Sequence, residues 1–494
     1  MQFWDEMVKN AMIGTDKKQP GSTLLPQVLA KQADIIQQNA SLDKEEQFLQ
    51  LAAVAFNYRQ SGSMPVIKAG IDLEAAPAEE KKYCTTETIQ HLKNILSEES
   101  MPLLQLWLEH CAAKEQIVLP TVVPTLLSIG VRQKKMQELI HSCCGKRGEW
   151  LAKFNAEWNF LQGDLPEQVW QTGTMEMRKH IFKETRKGDP ALALKWLQQT
   201  WKEEDANAKA AFLELMHTGI SEADLSFLES LSAEKGKKVK DEAMRLMRSI
   251  PSSPIVLRYQ QSLEQMVQLK KEKALLGLVN KTALQFEMVP LDEEIYKSGI
   301  EKLSSTKEFT DNEYTWFQLI ESVPPSFWEK HLQCKPEQVI DYFQKDEVGK
   351  KMMPAIVKAT VKFRDTQFAV YLMQYSAVFY IDILPLLPIQ QQEYYSIKFF
   401  ADYPDSILQY ALHYKKEWSL ELAKLIFGHA SKNPYQYSKS FFSTHIQLIP
   451  ASVILELEKF APAEDYYKTM WLNTCEYIAK LLELKQQTIK AFKA

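Results

Sequence analysis

The sequence predicts an all-α protein built from stacked helix pairs, and three observations carry this. Met177-Arg178, Ala208-Lys209 and Val239-Lys240 each precede two apolar residues three and four positions after the basic one, and the basic residues recur at intervals of 31. Helix breakers keep the same period: Gly188 and Gly219 are 31 residues apart, and Ile250-Pro251 follows after another 31. Only 16 of 494 residues are glycine, while Leu, Lys, Gln, Glu and Ala dominate, all good helix formers. On a helix the repeated block sets its apolar residues on one side and the basic residue at the edge of that stripe. One helix pair cannot bury its faces alone, so consecutive pairs stack into a continuous core. The expected architecture is a HEAT-like α-solenoid, in one segment or two. The alternative is an ordinary helical bundle in which three blocks coincide by chance.

Taken in order, residues 1–144 read as an N-terminal helical segment. Trp4, Met7, Val8, Ala11 and Met12 share a helix face, which Gly14-Thr15-Asp16 ends. Phe48, Leu51, Ala52, Ala55 and Tyr58 form a second stripe, stopped at Ser61-Gly62. Residues 63–82 lack a period and read as a loop. Helices resume with Thr86 as N-cap, then Met101 to Ala113, Pro120 to Ile129 and Gln133 to Cys143.

Residues 145–270 hold the repeats. Trp150, Phe154 and Trp158 stand four apart, which predicts one helix face and a buried core role. Gly188-Asp189-Pro190 reads as helix stop, N-cap and N1 proline, and Ser221 to Asp224 has capping-box spacing. Ser253-Pro254 opens a helix expected to run through Lys273. Residues 271–310 read as a junction, with a short strand or extended stretch from Thr282 to Pro290. Residues 311–494 are again helical. Helices are expected over 312–322, 336–343, 349–363, 366–373, 391–401, 406–413, 419–429, 452–459 and 463–491. Ser419 is the expected N-cap of a helix burying Leu422, Leu425 and Ile426.

Composition narrows the function. Apolar residues make up 45% and charged residues 25%, a globular balance. A net charge of −4 gives no footprint for nucleic acid or an anionic membrane. The six cysteines form no CxxC and no zinc spacing with histidine, so vicinal Cys143-Cys144 reads as two reduced thiols. No signal peptide or membrane-spanning stretch is evident, which points to the cytoplasm. Phosphate-loop, dinucleotide, nucleophile-elbow, zinc-protease and EF-hand motifs are absent. Gly145-Lys146-Arg147-Gly148 superficially resembles a phosphate loop but lacks its spacing, and reads as a tight connection. His141 with Cys143 and Cys144 lacks a fourth metal ligand. No catalytic, cofactor-binding or metal residues are therefore assigned, and no cofactor is expected. The candidate partner-binding edge is Arg178, Lys209 and Lys240, with Lys237 and Lys238 beside them.

Several stretches together resemble one bacterial family. They are Ala11-Met-Ile-Gly-Thr15, Leu51 to Arg59 with Gly62, Gly145-Lys-Arg-Gly-Glu-Trp150-Leu151 with Asn155 and Trp158, Asp189-Pro-Ala191, Thr200-Trp201, Gly219-Ile-Ser221, Phe227-Leu-Glu229 and Pro251-Ser-Ser253. The chain resembles the family called domain of unknown function 5691 over nearly its whole length, most strongly across residues 1–270. The resemblance implies a helical-repeat protein without assigned catalytic residues. Family members are typically encoded beside a MoxR-type AAA ATPase, a VWA-domain protein and a SWIM zinc-finger protein, which implies an accessory role in such a system.

The functional expectation is a non-catalytic interaction scaffold or adaptor whose partner is a protein, with neither nucleic acid nor membrane as its target. One alternative is a nucleic-acid-binding, DNA-glycosylase-like protein, suggested by Trp150, Trp158, Trp170, Trp196 and Trp201 beside Lys235 to Lys240. A second is a hydrolase without a recognised motif.

Overall fold

The computed structural model describes residues 2–15, 17, 27–61, 74–161, 166–274, 279–414 and 416–493. Asp16, Gly62 and residues 63–73 of the expected loop lie outside the described residues. Helix accounts for 71% and strand for 3%, so the protein is all-α. It divides into two compact units, Met1–Ala75 and the chain from Ala76 onward.

Among the described residues the first unit holds three helices, Gln2–Ile13, Gln27–Gln38 and Lys44–Ser61. Their core is small: Met7, Ala33, Ile36, Phe48, Leu51 and Ala55. Val8, Met12, Val28, Ile35, Leu49 and Phe56 remain exposed.

The second unit has three hydrophobic cores. One combines Leu104, Trp107, Leu126 and Ile140 with Trp418, Phe427, Phe442, Trp471 and Ile478, so helices from residues 84–152 share an interior with residues 400–492. Phe492 packs against Trp107 with ring centroids 5.2 Å apart. Gln447 Nε2 donates to Pro102 O at 2.5 Å, bridging 345 residues of sequence. The second core runs from Tyr259 to Leu387. The third, Trp170 to Ile250, belongs to the 31-residue blocks. There the Ala206–Leu215 helix packs on both Met175–Gly188 and Lys237–Met247.

Local signals behave as their chemistry requires. Asp189 caps Pro190–Thr200 by accepting from Leu192 N at 3.0 Å. Ser221 and Asp224 form the expected capping box, in which Ser221 N donates to Asp224 Oδ2 at 3.0 Å. Ser419 accepts from Leu422 N at 3.2 Å, and Leu422 and Ile426 are buried. The cap expected at Thr86 is its neighbour Thr85, which accepts from Thr88 N.

Two larger expectations also fail. The helix expected through Lys273 stops at Met266, and an antiparallel hairpin follows, Val267–Ala274 with Val279–Phe286. Val267 and Leu269 alternate with Gln268 and Lys270, the period of a half-buried strand. Phe286 lies 5.3 Å from the Trp316 ring and 6.1 Å from Phe343, which fastens the hairpin to the second core. Second, Trp150, Phe154 and Trp158 do not share a helix. The Gln137–Ala152 helix kinks at Gly145 and ends before Phe154, and a 3-10 turn, Ala156–Leu161, carries Trp158. Phe154 is 56% exposed, and Trp150 and Trp158 are half-buried.

The Glu347–Lys362 helix, which supplies Met352 and Ile356 to the second core, ends in a half-buried titratable lysine. Burial, followed by the Arg248 charge, lowers the Lys362 ammonium from 10.5 to about 8, with Glu321 opposing. The folded chain therefore gives up this proton before the unfolded chain does. Between those values the unfolded state binds more protons, so this group's contribution to stability rises with pH. Below about 8 both states are charged and the burial penalty is complete. Lys362→Met is expected to stabilise the protein by roughly 1–2 kcal/mol at pH 7, and the gain should shrink towards pH 10. Urea titrations of both proteins at the two pH values check this; an equal gain at both would refute it.

Candidate partner-binding edge

Each basic residue of the 31-residue blocks is the fourth residue of its helix: Arg178 in Met175–Gly188, Lys209 in Ala206–Leu215 and Lys240 in Lys237–Met247. The first two helices begin with a side-chain cap, Thr174 accepting from Met177 N and Asp205 accepting from Asn207 N and Ala208 N. These caps fix the helix starts and so the direction in which the fourth residue leaves.

The structure corrects the expectation that all three basic residues are exposed. Arg178 lies with its guanidinium carbon 4.4 Å from the Trp170 ring centroid and 5.3 Å from that of Phe212. It also grips the Glu204 carboxylate bidentately, with Nη1 donating to Oε2 at 3.3 Å and Nη2 donating to Oε1. Lys209 repeats the arrangement. Its Nζ lies 5.0 Å from the Trp201 ring and 3.1 Å from Glu234 Oε1, which also accepts from Trp201 Nε1 at 2.7 Å. Those two donors hold the Glu234 carboxyl below its usual range. Both cations are half-buried, and each ties its block to the next. The unit is a tryptophan 8 residues before the cation and a glutamate 25 or 26 after it. Trp170 and Trp201 stand out in the sequence as tryptophans but not as partners of the cations, and Glu204 and Glu234 do not stand out at all.

The third block lacks both partners. Ser232 stands 8 residues before Lys240, and Gln265 and Met266 stand where a glutamate would. Lys237, Lys238 and Lys240 are all exposed. Among the described residues no carboxylate pairs with them, whereas Arg178 and Lys209 each have one. The first turn carries no acidic residue, and Gly236 offers no side-chain cap. Three positive charges thus stand at the positive end of a helix macrodipole, an arrangement that favours an incoming anion.

The other sites weighed from the sequence resolve as follows. Trp170, Trp196 and Trp201 are buried, so they cannot stack on bases without unfolding the third core. All six cysteines are free thiols. His141 pairs with Glu149 at 3.0 Å. Among the described residues no group of three or more His, Cys, Asp or Glu is placed to hold a metal ion, and no helix is long and apolar enough to cross a membrane.

The last turn of the Met175–Gly188 helix carries one member of a buried pair that spacing did not point to. Arg186 Nη1 and Nη2 donate to Asp224 Oδ1 and Oδ2 at 2.8 and 3.0 Å. The same guanidinium donates to the carbonyls of Thr218, Pro190, Met216 and Gly219 at 2.9, 3.1, 3.2 and 2.9 Å. Gly219 makes room for this network: its φ is +69°, and a Cβ there would lie 2.7 Å from Arg186 O.

A family model described as a family of unknown function, DUF5691, matches residues 6–492. No curated protein and no solved structure matches the chain.

Proposed function

The chain belongs to the DUF5691 family, and on that premise we propose that it is a non-catalytic interaction scaffold. In this reading the 31-residue blocks form a HEAT-like α-solenoid, and its lysine edge receives an acidic segment of a protein partner. The observation that carries the reading is the charge imbalance at the Lys237–Met247 helix. Among the described residues three exposed lysines meet no carboxylate there, while the equivalent cations of the two preceding blocks are each neutralised in place. The edge is therefore Lys237, Lys238 and Lys240, without Arg178 and Lys209. The exposed apolar side chains of the first unit, among them Met12, Val28 and Ile35, supply further surface for a partner. The partner class we propose is the AAA ATPase or VWA-domain protein that the family resemblance implies.

The test is capture of partners from native extract by the full chain and by a Lys237→Glu/Lys238→Glu/Lys240→Glu variant. Each exposed pair is worth about 0.2–1 kcal/mol, so the triple reversal should weaken capture by about fivefold or more at low salt. Capture by the unchanged protein should fall as salt rises. Equal capture by the variant would remove the edge from the proposal. A gel shift with single- or double-stranded DNA that the triple reversal abolishes would favour the nucleic-acid alternative instead.

A further inference from the structure

The kinked turn Gly145–Gly148 within the Gln137–Ala152 helix already holds an anion, and it belongs to the chain itself. Lys146 N donates to Glu79 Oε2 at 2.9 Å and Arg147 N donates to Glu79 Oε1 at 2.8 Å, so two successive amides share one carboxylate. Lys146 Nζ donates to the next residue, Glu80 Oε1, at 2.6 Å. Gly145 has φ +60°, and a Cβ on it would lie 2.5 Å from Glu79 Oε2, so the glycine is what lets the carboxylate approach.

The way the acidic segment is held differs from the rest of the fold. Residues 75–81 adopt no helix or strand. Among the described residues none of their backbone groups makes a hydrogen bond, and pairing begins only at Lys82 with Gln116. Glu80 is exposed. An extended stretch fastened by two neighbouring carboxylates is bound in the manner of a docked acidic peptide.

We propose that the Gly145–Gly148 turn is a binding site for acidic peptide segments carrying two successive glutamates or aspartates, occupied in cis by Glu79 and Glu80. An acidic segment of another protein competes for the same amides and the Lys146 ammonium, and its binding releases residues 75–81. This site is distinct from the lysine edge, and its test needs no cellular partner, so the two readings stand or fall separately.

The experiment uses the full chain with Glu79→Ala/Glu80→Ala and a fluorescent peptide, Ala-Pro-Ala-Glu-Glu-Lys, copied from residues 76–81. Emptying the site should raise affinity for the peptide by about tenfold or more over the unchanged chain, since charge-assisted hydrogen bonds no longer compete in cis. A Gln-Gln version should not bind, and adding Lys146→Glu should abolish binding of the acidic peptide. Equal binding to both chains, or equal binding of the Gln-Gln peptide, would overturn the proposal. A second measurement uses the unchanged fold. Trypsin cleavage after Lys81 or Lys82 should quicken when excess acidic peptide is added, and also in Glu79→Gln. Inorganic phosphate serves as a control: acceleration by phosphate but not by peptide would mean that the turn accepts small oxyanions only, which also overturns it.

Discussion

Arg186→Ala is expected to be among the most damaging single substitutions in the chain, costing about 3–5 kcal/mol. Arg186 and Asp224 are both buried, and removing the guanidinium leaves an uncompensated carboxylate in the interior. The loss goes beyond the ion pair. The same group serves four carbonyls, three of them, at Met216, Thr218 and Gly219, where the Ala206–Leu215 helix turns towards Ser221. A double substitution, Arg186→Met with Asp224→Leu, removes both charges yet leaves those carbonyls without their donor. It is therefore expected to recover only part of the loss, unlike a simple buried pair, whose apolar replacement is often neutral. Urea denaturation reads this as a fall in midpoint at unchanged m-value. Full recovery in the double variant would show that the carbonyl contacts contribute little.

Trp170→Ala is expected to cost a further about 3–5 kcal/mol as a single change. Trp170 is 2% exposed and touches Phe182, Trp196 and Phe212 with centroids 5.6, 6.0 and 5.0 Å away. Its removal opens the third core and takes away the ring on which Arg178 rests, a contact worth about 0.5–2 kcal/mol. Trp170→Phe should be much milder, because Trp170 Nε1 is buried without an acceptor and no hydrogen bond is lost. Trp150→Ala should cost less than Trp170→Ala, since Trp150 is only half-buried. The same urea series ranks all three. A Trp150→Ala loss equal to that of Trp170→Ala would mean that the kinked helix matters more than its exposure indicates.

Spacing alone predicts a buried core role for Trp150, and the reason it is only half-buried is local. A four-residue interval implies a shared face only while the helix continues, and this one ends at Ala152. Lys153, Phe154 and Asn155 sit in turns that spacing could not reveal. The helix caps at Asp189 and Ser419 were legible because they depend on residues three positions apart. The 31-residue period was legible because the basic residue and the apolar pair after it recur in the sequence itself. The partners Glu204 and Glu234 were harder to see, since they reach Arg178 and Lys209 from other elements through space. The hairpin was hidden by composition: Val267 to Ala274 contains Gln, Leu, Lys, Glu and Ala, good helix formers, and tertiary packing through Phe286 overrides that preference. The Glu79 contact spans 67 residues to Lys146, and a glycine-rich stretch alone does not announce what fills it.

The first core of the second unit has a consequence for how the chain is made. Trp107 and Leu104 leave the ribosome long before Trp471, Ile478 and Phe492, which complete the same interior. Domains tend to fold from the N-terminus as synthesis proceeds, yet here an early helix must wait for the last one. Contacts so distant in sequence also slow folding in general. During translation the apolar side of Met101–Ala113 is therefore left for a chaperone to cover. A nascent chain arrested before Trp471 should be bound by such a holdase, and one carried through Phe492 should be released.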